Sequence, residues 1–510
     1  MKRFFRKLGQ SVVGRKGIGG TLTVVIILAV VMLNILAYTL TAAFGLYLYS
    51  PQEDDLSISG NTDALFEEHI LKGKKVKITF CYPESTLENH DTGKFVLTTA
   101  REFEKRYPEL IELKFVNLIT KLDENLTPVD FEQYKDGGRY TINQSSVIFE
   151  CGEGEHRSIR VLTDTSTSAG FIDFYTLDSS LSISAYNGEE VMAAMISWVL
   201  HDEHPTVYFT QNHGETADVA FSNLLSCAGY YVEVINLRKD EIPADAGMII
   251  ISNPTNDFEK AKEGSGVRGE IDKLEAYLER GGKLYVALDT YVKELKNLEG
   301  MLAKWGIALS GEYNDNGQLV RDIVKENSNA ITPDGYTFVA THADNDKSNE
   351  IYGKLSAFSA DRVLISQATA LELDEALGAH PLLISGSTSS TYAGGKLTDN
   401  EGGYSVAAYS SRTHGDNAKS TVVVIPTAYI TAADAFISDG YSNKDFIYAT
   451  FEVLFDSNPA PYGCNNVIYD TKVLENFTMG RAKAYTAIIM AIPVILTVVG
   501  TVIIVRRKNR

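Results

Sequence analysis

The chain has 510 residues, with 66 Asp+Glu against 47 Lys+Arg and a formal charge of −19. Every acid lies between Pro51 and Gly480, together with 35 of the bases, so that segment carries −31. A surface of that sign excludes nucleic acid and anionic lipid as its partners, and Cys81, Cys151, Cys227 and Cys464 stand too far apart for a thiolate metal site.

Residues 1–20 form a basic tail. From Gly17 to Ser50 no residue is charged, and 21–49 reads as a transmembrane helix, since a bilayer core takes about 20 apolar residues. Tyr38, Phe44, Tyr47 and Tyr49 suit the outer interface. The alternative, a cleaved signal peptide with Thr41-Ala42-Ala43 near its cut, fits less well, because the apolar run exceeds the usual 7–15 residues or so. Gly14 to Thr21 superficially resembles a phosphate loop but lacks the Gly-Lys-Ser/Thr ending.

Residues 51–187 predict a small exported α/β domain. Lys75 to Tyr82 reads as a strand, and a helix follows with Phe95, Leu97, Ala100 and Phe103 on its face. Leu113 to Leu118 is a second strand, and Ser146 to Glu150 with Ser158 to Leu162 makes a hairpin. The order suggests a thioredoxin-like unit. Without a Cys-x-x-Cys pair, no redox role is expected.

Residues 188–470 predict a second α/β domain, Rossmann- or flavodoxin-like. A helix opens at Gly188-Glu189-Glu190. Apolar strands follow at Thr206–Thr210, Tyr231–Leu237, Ala246–Ile251 and Lys283–Leu288, alternating with helices at Glu215–Cys227 and Gly269–Arg280. Short apolar strands between helices indicate a parallel sheet covered on both faces. Ser310 to Pro459 is rich in Ser, Thr, Gly and Asp and reads as short strands and loops; Ser420 to Pro426 adds a late strand and Lys444 to Leu454 a closing helix. Cys227 falls on an apolar helical face and reads as packing, and the pairing of the four cysteines in disulfides stays open. A second uncharged stretch, 484–505, reads as another span kinked at Pro493, before the basic tail 506–510. The basic flanks put both termini in the cytoplasm of a bacterial cell and residues 51–480 outside, with membrane lipid around the spans.

In an open α/β sheet, ligands bind beyond the carboxyl ends of the strands. Those ends carry Thr210, Asn212, His213, Glu215, Asn253, Asp257 and Asp289 as candidate ligand or partner contacts. His213 and Glu215 are expected at a helix N-terminus, which favours anions. A structural role explains the same residues: Gly214 turns the chain, Glu215 complements the helix dipole and Asp289 caps the next helix. No Gly-x-Ser-x-Gly elbow, zinc motif or calcium loop is present, so no catalytic residue, metal or cofactor is expected. The acidic surface reads as a solvated face, with cationic ligands as the alternative. His201 and His204 read as part of a solvated loop.

The run from Gly188 to Asp289 resembles the Gld-type auxiliary proteins of ABC transport systems, a family linked to gliding motility. The matching residues are Gly188-Glu189-Glu190, the strand ending in Thr-x-x-His-Gly-Glu (Thr210 to Glu215), Ile-Ser-Asn-Pro (Ile251 to Pro254) and Tyr-Leu-x-x-Gly-Gly-Lys-Leu (Tyr277 to Leu284) leading to Asp289. Family members often have Gly at the position of Asn212, and Asn also tolerates a left-handed turn. The resemblance implies a membrane-anchored, non-ATPase subunit working with a separate permease and ATPase, its exported domain recognising substrate, an envelope polymer or another partner. An amidotransferase-like or hydrolytic enzyme is the alternative, and would need a nucleophile beside His213; an envelope scaffold is a third reading.

Overall fold

The computed structural model describes residues 56–468, apart from 164–169, 178–181, 217–218, 262–263, 265, 267, 359–360, 394–395, 398–401, 416–417, 437–439 and 465. Both expected spans, 21–49 and 484–505, and both tails lie outside the described residues. Among the described residues, no helix is long and apolar enough to cross a membrane.

The first lobe runs α1 (Asp63–Leu71), β1 (Val76–Phe80), α2 (Gly93–Arg106), β2 (Ile111–Asn117), β3 (Leu122–Asp123), β4 (Val147–Cys151) and β5 (Ser158–Leu162). The ribbon β6 (Tyr175–Leu177) and β7 (Ile183–Tyr186) then leads into α3 (Gly188–Leu200). The sheet order is β3-β2-β1-β4-β5, with β1 and β2 parallel and β4 and β5 antiparallel. The period of two along each strand sorts its side chains. Val76, Ile78, Phe80, Val147 and Phe149 enter the main core with Leu97, Ala100 and Phe103 of α2, while Ile148 and Cys81 enter a smaller one on the other face. All thirteen residues of α3 are buried, as befits a helix that is apolar on nearly every side. Although α3 opens the run that resembles the Gld-type family, its Met192, Met195, Ile196 and Val199 complete the first lobe's core.

The second lobe is a three-layer α/β unit. Its elements are β8 (Thr206–Thr210), α4 (Val219–Cys227), β9 (Tyr231–Ile235), β10 (Ala246–Ser252), α5 (Glu270–Glu279), β11 (Lys283–Ala287), α6 (Lys296–Lys304), β12 (Thr337–His342), α7 (Asp346–Phe358), β13 (Val363–Ser366), β14 (Ala379–Ile384), β15 (Ser405–Thr413), β16 (Lys419–Ile425) and α8 (Asn443–Phe455). The main path of the sheet is β13-β12-β14-β15-β16-β11-β10-β8-β9. From β9 to β16 neighbouring strands are parallel; from β16 to β13 they are antiparallel. The late strand expected at Ser420 to Pro426 is β16, in register with β11 from Lys283↔Thr421 to Ala287↔Ile425.

Alternation again divides the cores. Val207, Met248, Ile250, Tyr285, Val423 and Ile425 face α4 and α8, whereas Ile249, Ile251, Leu284, Val286, Val422 and Val424 face α5 and α6. Each such side chain is worth roughly 1.5–3 kcal/mol when fully buried. The sheet is thus mixed rather than wholly parallel. The region read as short strands and loops supplies its antiparallel half, where Ser405 and Ser410 are buried and blunt the apolar pattern.

Candidate functional site

The parallel strands run in the spatial order β9-β8-β10-β11-β16, so the direction of winding reverses between β8 and β10. A crevice is expected beyond the carboxyl ends of two such strands. Thr210 ends β8 and Asn253 follows β10, both buried. The loops after these strands are stitched together. The backbone N–H groups of Thr255 and Asn256 each donate to the His213 carbonyl at 2.8 Å, and Thr216 N donates to Ser252 O at 3.2 Å. Left-handed backbone at Asn212 (φ 83°), Gly214 (φ 75°) and Asn253 (φ 52°) makes the turns. A Cβ on Gly214 would lie 2.1 Å from Thr255 Oγ1, so the close approach requires glycine.

His213 fills the crevice itself. It is fully buried, its Nδ1 lies 3.0 Å from Glu215 Oε1 and its Nε2 lies 3.0 Å from Glu270 Oε2. The ring stacks on Phe258 with centroids 3.8 Å apart. Glu215 also accepts from the His213 backbone N–H at 2.7 Å, and Glu270 from Glu259 N at 2.8 Å. Burial disfavours the imidazolium, but hydrogen bonds and charge from Glu215 and Glu270 outweigh it and hold His213 above its ordinary value. Burial likewise opposes the Glu215 carboxylate; His213 and the backbone N–H groups reverse the balance and hold it below the usual range. Both ring nitrogens face carboxylates rather than a Ser, Thr or Cys nucleophile.

The neighbouring candidates divide differently from the sequence-based expectation. Glu215 lies outside the helix after β8, whose described part runs Val219–Cys227, and its carboxylate instead accepts from the His213 backbone N–H. Asp257, not Asp289, caps the helix after β11: its carboxylate accepts from Asn297 N at 2.8 Å and Leu298 N at 3.1 Å. Asp289 accepts only locally, from Tyr291 N at 2.9 Å. Asn212 is exposed, and the buried Asn253 Oδ1 has no hydrogen-bond partner. His204 lies in the loop before β8 beside the exposed Asp202 and Glu203, but is itself half-buried. Its ring stacks on Trp198 at 3.5 Å, and burial pushes its pKa down to about 4. The four cysteines are free thiols, and burial pushes Cys227 up to about 12.

A second site lies where the lobes meet. A cavity of about 480 Å³ is bounded by Asp173, Tyr175, Asn187 and Glu190 of the first lobe and by Leu224, Asp434, Lys444 and Tyr448 of the second. Lys444 Nζ donates to Glu190 Oε2 at 2.6 Å and Tyr448 Oη to Glu190 Oε1 at 2.7 Å. Sequence reasoning placed Glu190 in the first turn of its helix, where an acid complements the dipole, and did not connect it with Lys444, 254 residues away. The available signal was Lys444, the one base of its helix, in the first turn.

Among solved structures the chain is similar to the mmIFT52 N-terminal domain, at 18% identity over 48% of this chain and 96% of that one, with a TM-score of 0.33. It is also similar to PurLQS from Thermotoga maritima, at 12% identity over 48% and 98%, with a TM-score of 0.25. Neither score reaches the level of a shared fold. No protein-family model matches the chain, and no curated protein matches it.

Proposed function

We propose that this chain is a membrane-anchored, non-ATPase auxiliary subunit of a bacterial ABC transport system. In this reading residues 21–49 and 484–505 anchor it, both termini are cytoplasmic, and residues 51–480 recognise substrate or an envelope partner outside the membrane. The first lobe reads as thioredoxin-like, since a β-α-β unit is followed by an antiparallel hairpin and a helix that packs back on α2. The parallel part of the second lobe reads as flavodoxin-like: in chain order its strands run 2-1-3-4-5.

The observation that carries the reading is the ligand-sized cavity between two lobes of a segment flanked by two uncharged stretches. Such cavities at lobe boundaries suit recognition. The buried His213 supports it from the other side, because its two nitrogens are committed to Glu215 and Glu270. The resemblance of Gly188 to Asp289 supplies the transport context. Purification of the tagged chain from its native host in mild detergent tests the proposal. A permease and an ATPase are expected to co-elute; recovery of the chain alone, at native expression, rejects the reading.

A further inference from the structure

The end of β11, the start of β12 and the end of β13 fall at one end of the second lobe's sheet. Three tyrosines gather there. Tyr291 lies in the loop after β11 and is 65% exposed. Tyr336 stands just before β12, and Tyr392 lies in the strand Ser390–Ala393, opposite Ile323. Gln367, just after β13, ties their loops together: its backbone N–H donates to Tyr336 O at 2.9 Å, and its carbonyl accepts from Thr290 Oγ1. It is exposed and left-handed at φ 53°, a conformation uncommon outside glycine and concentrated at binding sites. The Tyr336 and Tyr392 rings meet edge to face, centroids 6.3 Å apart at 72°, and Lys325 Nζ covers one face of Tyr336 at 5.6 Å. A shallow pocket of about 360 Å³ opens beside them between Lys325, Ala330, Ile331 and Pro333. The three phenols, the Gln367 amide and the Lys325 ammonium have no hydrogen-bond partner among the described residues. Burial, with the Tyr392 and Tyr291 phenols nearby, pushes Tyr336 above its ordinary value, so its hydroxyl keeps its proton. Glu326, the carboxylate of the pocket, is already committed: it accepts from the N–H groups of Asn327, Ser328 and Gly386 and from Thr388 Oγ1.

We propose that this face docks a proline-rich segment of a partner protein in the polyproline II conformation. Such a segment offers apolar rings to the slots between aromatic side chains. It has no N–H at its prolines, and its carbonyls all face water. Those carbonyls match the uncommitted donors of Tyr291, Tyr336, Tyr392, Gln367 and Lys325. Aromatic-lined grooves recognise proline-rich segments in this way, because the ligand is extended before it binds and loses little entropy. The edge-to-face pair and the covering lysine make a slot rather than the broad open ring face on which a sugar would stack. The proposal goes beyond the cavity and the transport reading above and concerns binding by this chain alone.

The test is fluorescence anisotropy of labelled decaproline titrated with the full chain in nonionic detergent, beside a labelled Gly-Ser peptide of equal length. Decaproline is expected to bind saturably, and the Gly-Ser peptide about tenfold more weakly or worse. Tyr291→Ala, at an exposed position, is expected to weaken decaproline several-fold without moving the thermal midpoint. Tyr336→Phe and Tyr392→Phe keep the rings and remove the donors, and each is expected to weaken it by about twofold to tenfold. No saturable decaproline binding, or equal binding of the two peptides, overturns the proposal. So does decaproline binding unchanged in all three variants. Binding of cellotriose in place of decaproline, lost in Tyr291→Ala, assigns the face to a glycan and also overturns it. Co-purification of a permease and ATPase is read in a different experiment, so failure here and failure of the transport reading are distinguishable.

Discussion

Lys444 Nζ lies 2.6 Å from Glu190 Oε2, an ion pair between α8 and α3 that joins the two lobes of the described segment. Their side chains are 16% and 5% exposed. Burial opposes the Lys444 ammonium, but Glu190 and Asp445 outweigh it and hold its pKa above the ordinary value. Tyr448 donates to the other oxygen of Glu190, and burial together with that carboxylate pushes the phenol well above its usual range. One carboxylate therefore satisfies two donors on successive turns of α8.

Removing one member leaves the others buried and unpaired, which costs about 3–5 kcal/mol in comparable sites. Glu190→Gln is expected to lower the urea midpoint by an amount of that order, read from tryptophan emission. The double change Glu190→Leu with Lys444→Met should cost less than Glu190→Gln alone, since it removes both charges. A double variant less stable than the single would show that the pair is worth more than the apolar packing replacing it.

The His213 cluster predicts a pH dependence of definite sign. The folded pKa of His213 is raised above its free value of about 6.5. Its contribution is therefore complete below about 6.5 and is lost as pH rises through the folded value. Glu215 is depressed, so its contribution is present above about 4.3 and is lost as pH falls through its lowered value. The difference in urea midpoint between the unmodified chain and His213→Gln should be widest near pH 5–6 and should narrow on the alkaline side. A difference constant from pH 5 to 9 contradicts the charged cluster.

The helix caps give a paired comparison. Asp257 accepts from two backbone N–H groups at the start of α6, and losing such a cap costs about 0.5–2 kcal/mol. Asp257→Ala is expected to lower stability by that much. Asp289→Ala, which loses only the local bond to Tyr291 N, should cost less. Reversed ranks in the same urea titration would return the capping role to Asp289.

The parallel strands were legible because their apolar runs are nearly continuous: Ala246–Ser252 is buried on both faces from Met248 on, and Thr206–Thr210 is buried on one face and half-buried at Thr206 and Tyr208 on the other. His213 was placed correctly at a strand end by the same logic. Its second partner was not, because Glu270 lies 57 residues further on and reads locally as the first residue of α5. The antiparallel half was illegible for a different reason. β15 carries buried Ser405 and Ser410 beside Val406 and Ala407, so polarity does not mark its exposed side. Neither the lobe-crossing cavity nor the Glu190–Lys444 pair has a local pattern; both arise only when α3 and α8 are brought together.

His204 offers an optical reading of the lobe boundary. Its ring lies 3.5 Å from Trp198 at an interplanar angle of 7°, with Tyr231 of β9 edge-on to the indole at 5.4 Å. Arg160 of β5 sits over the indole at 5.3 Å, so protonating His204 would place a second cation against the same ring. Burial is the main cause of its low pKa, about 4, and Arg160 and His201 lower it further. An imidazole that resists protonation when folded makes the fold lose stability as pH falls from about 6.5 towards 4, because the unfolded chain takes up the proton first. The chain has two tryptophans, so a Trp305→Phe variant isolates Trp198. Its emission is expected to hold constant from pH 8 to about 5 and to change near pH 4, where the imidazolium forms against the indole. A transition centred near 6.5 would instead mean that His204 is solvated and the stack is open.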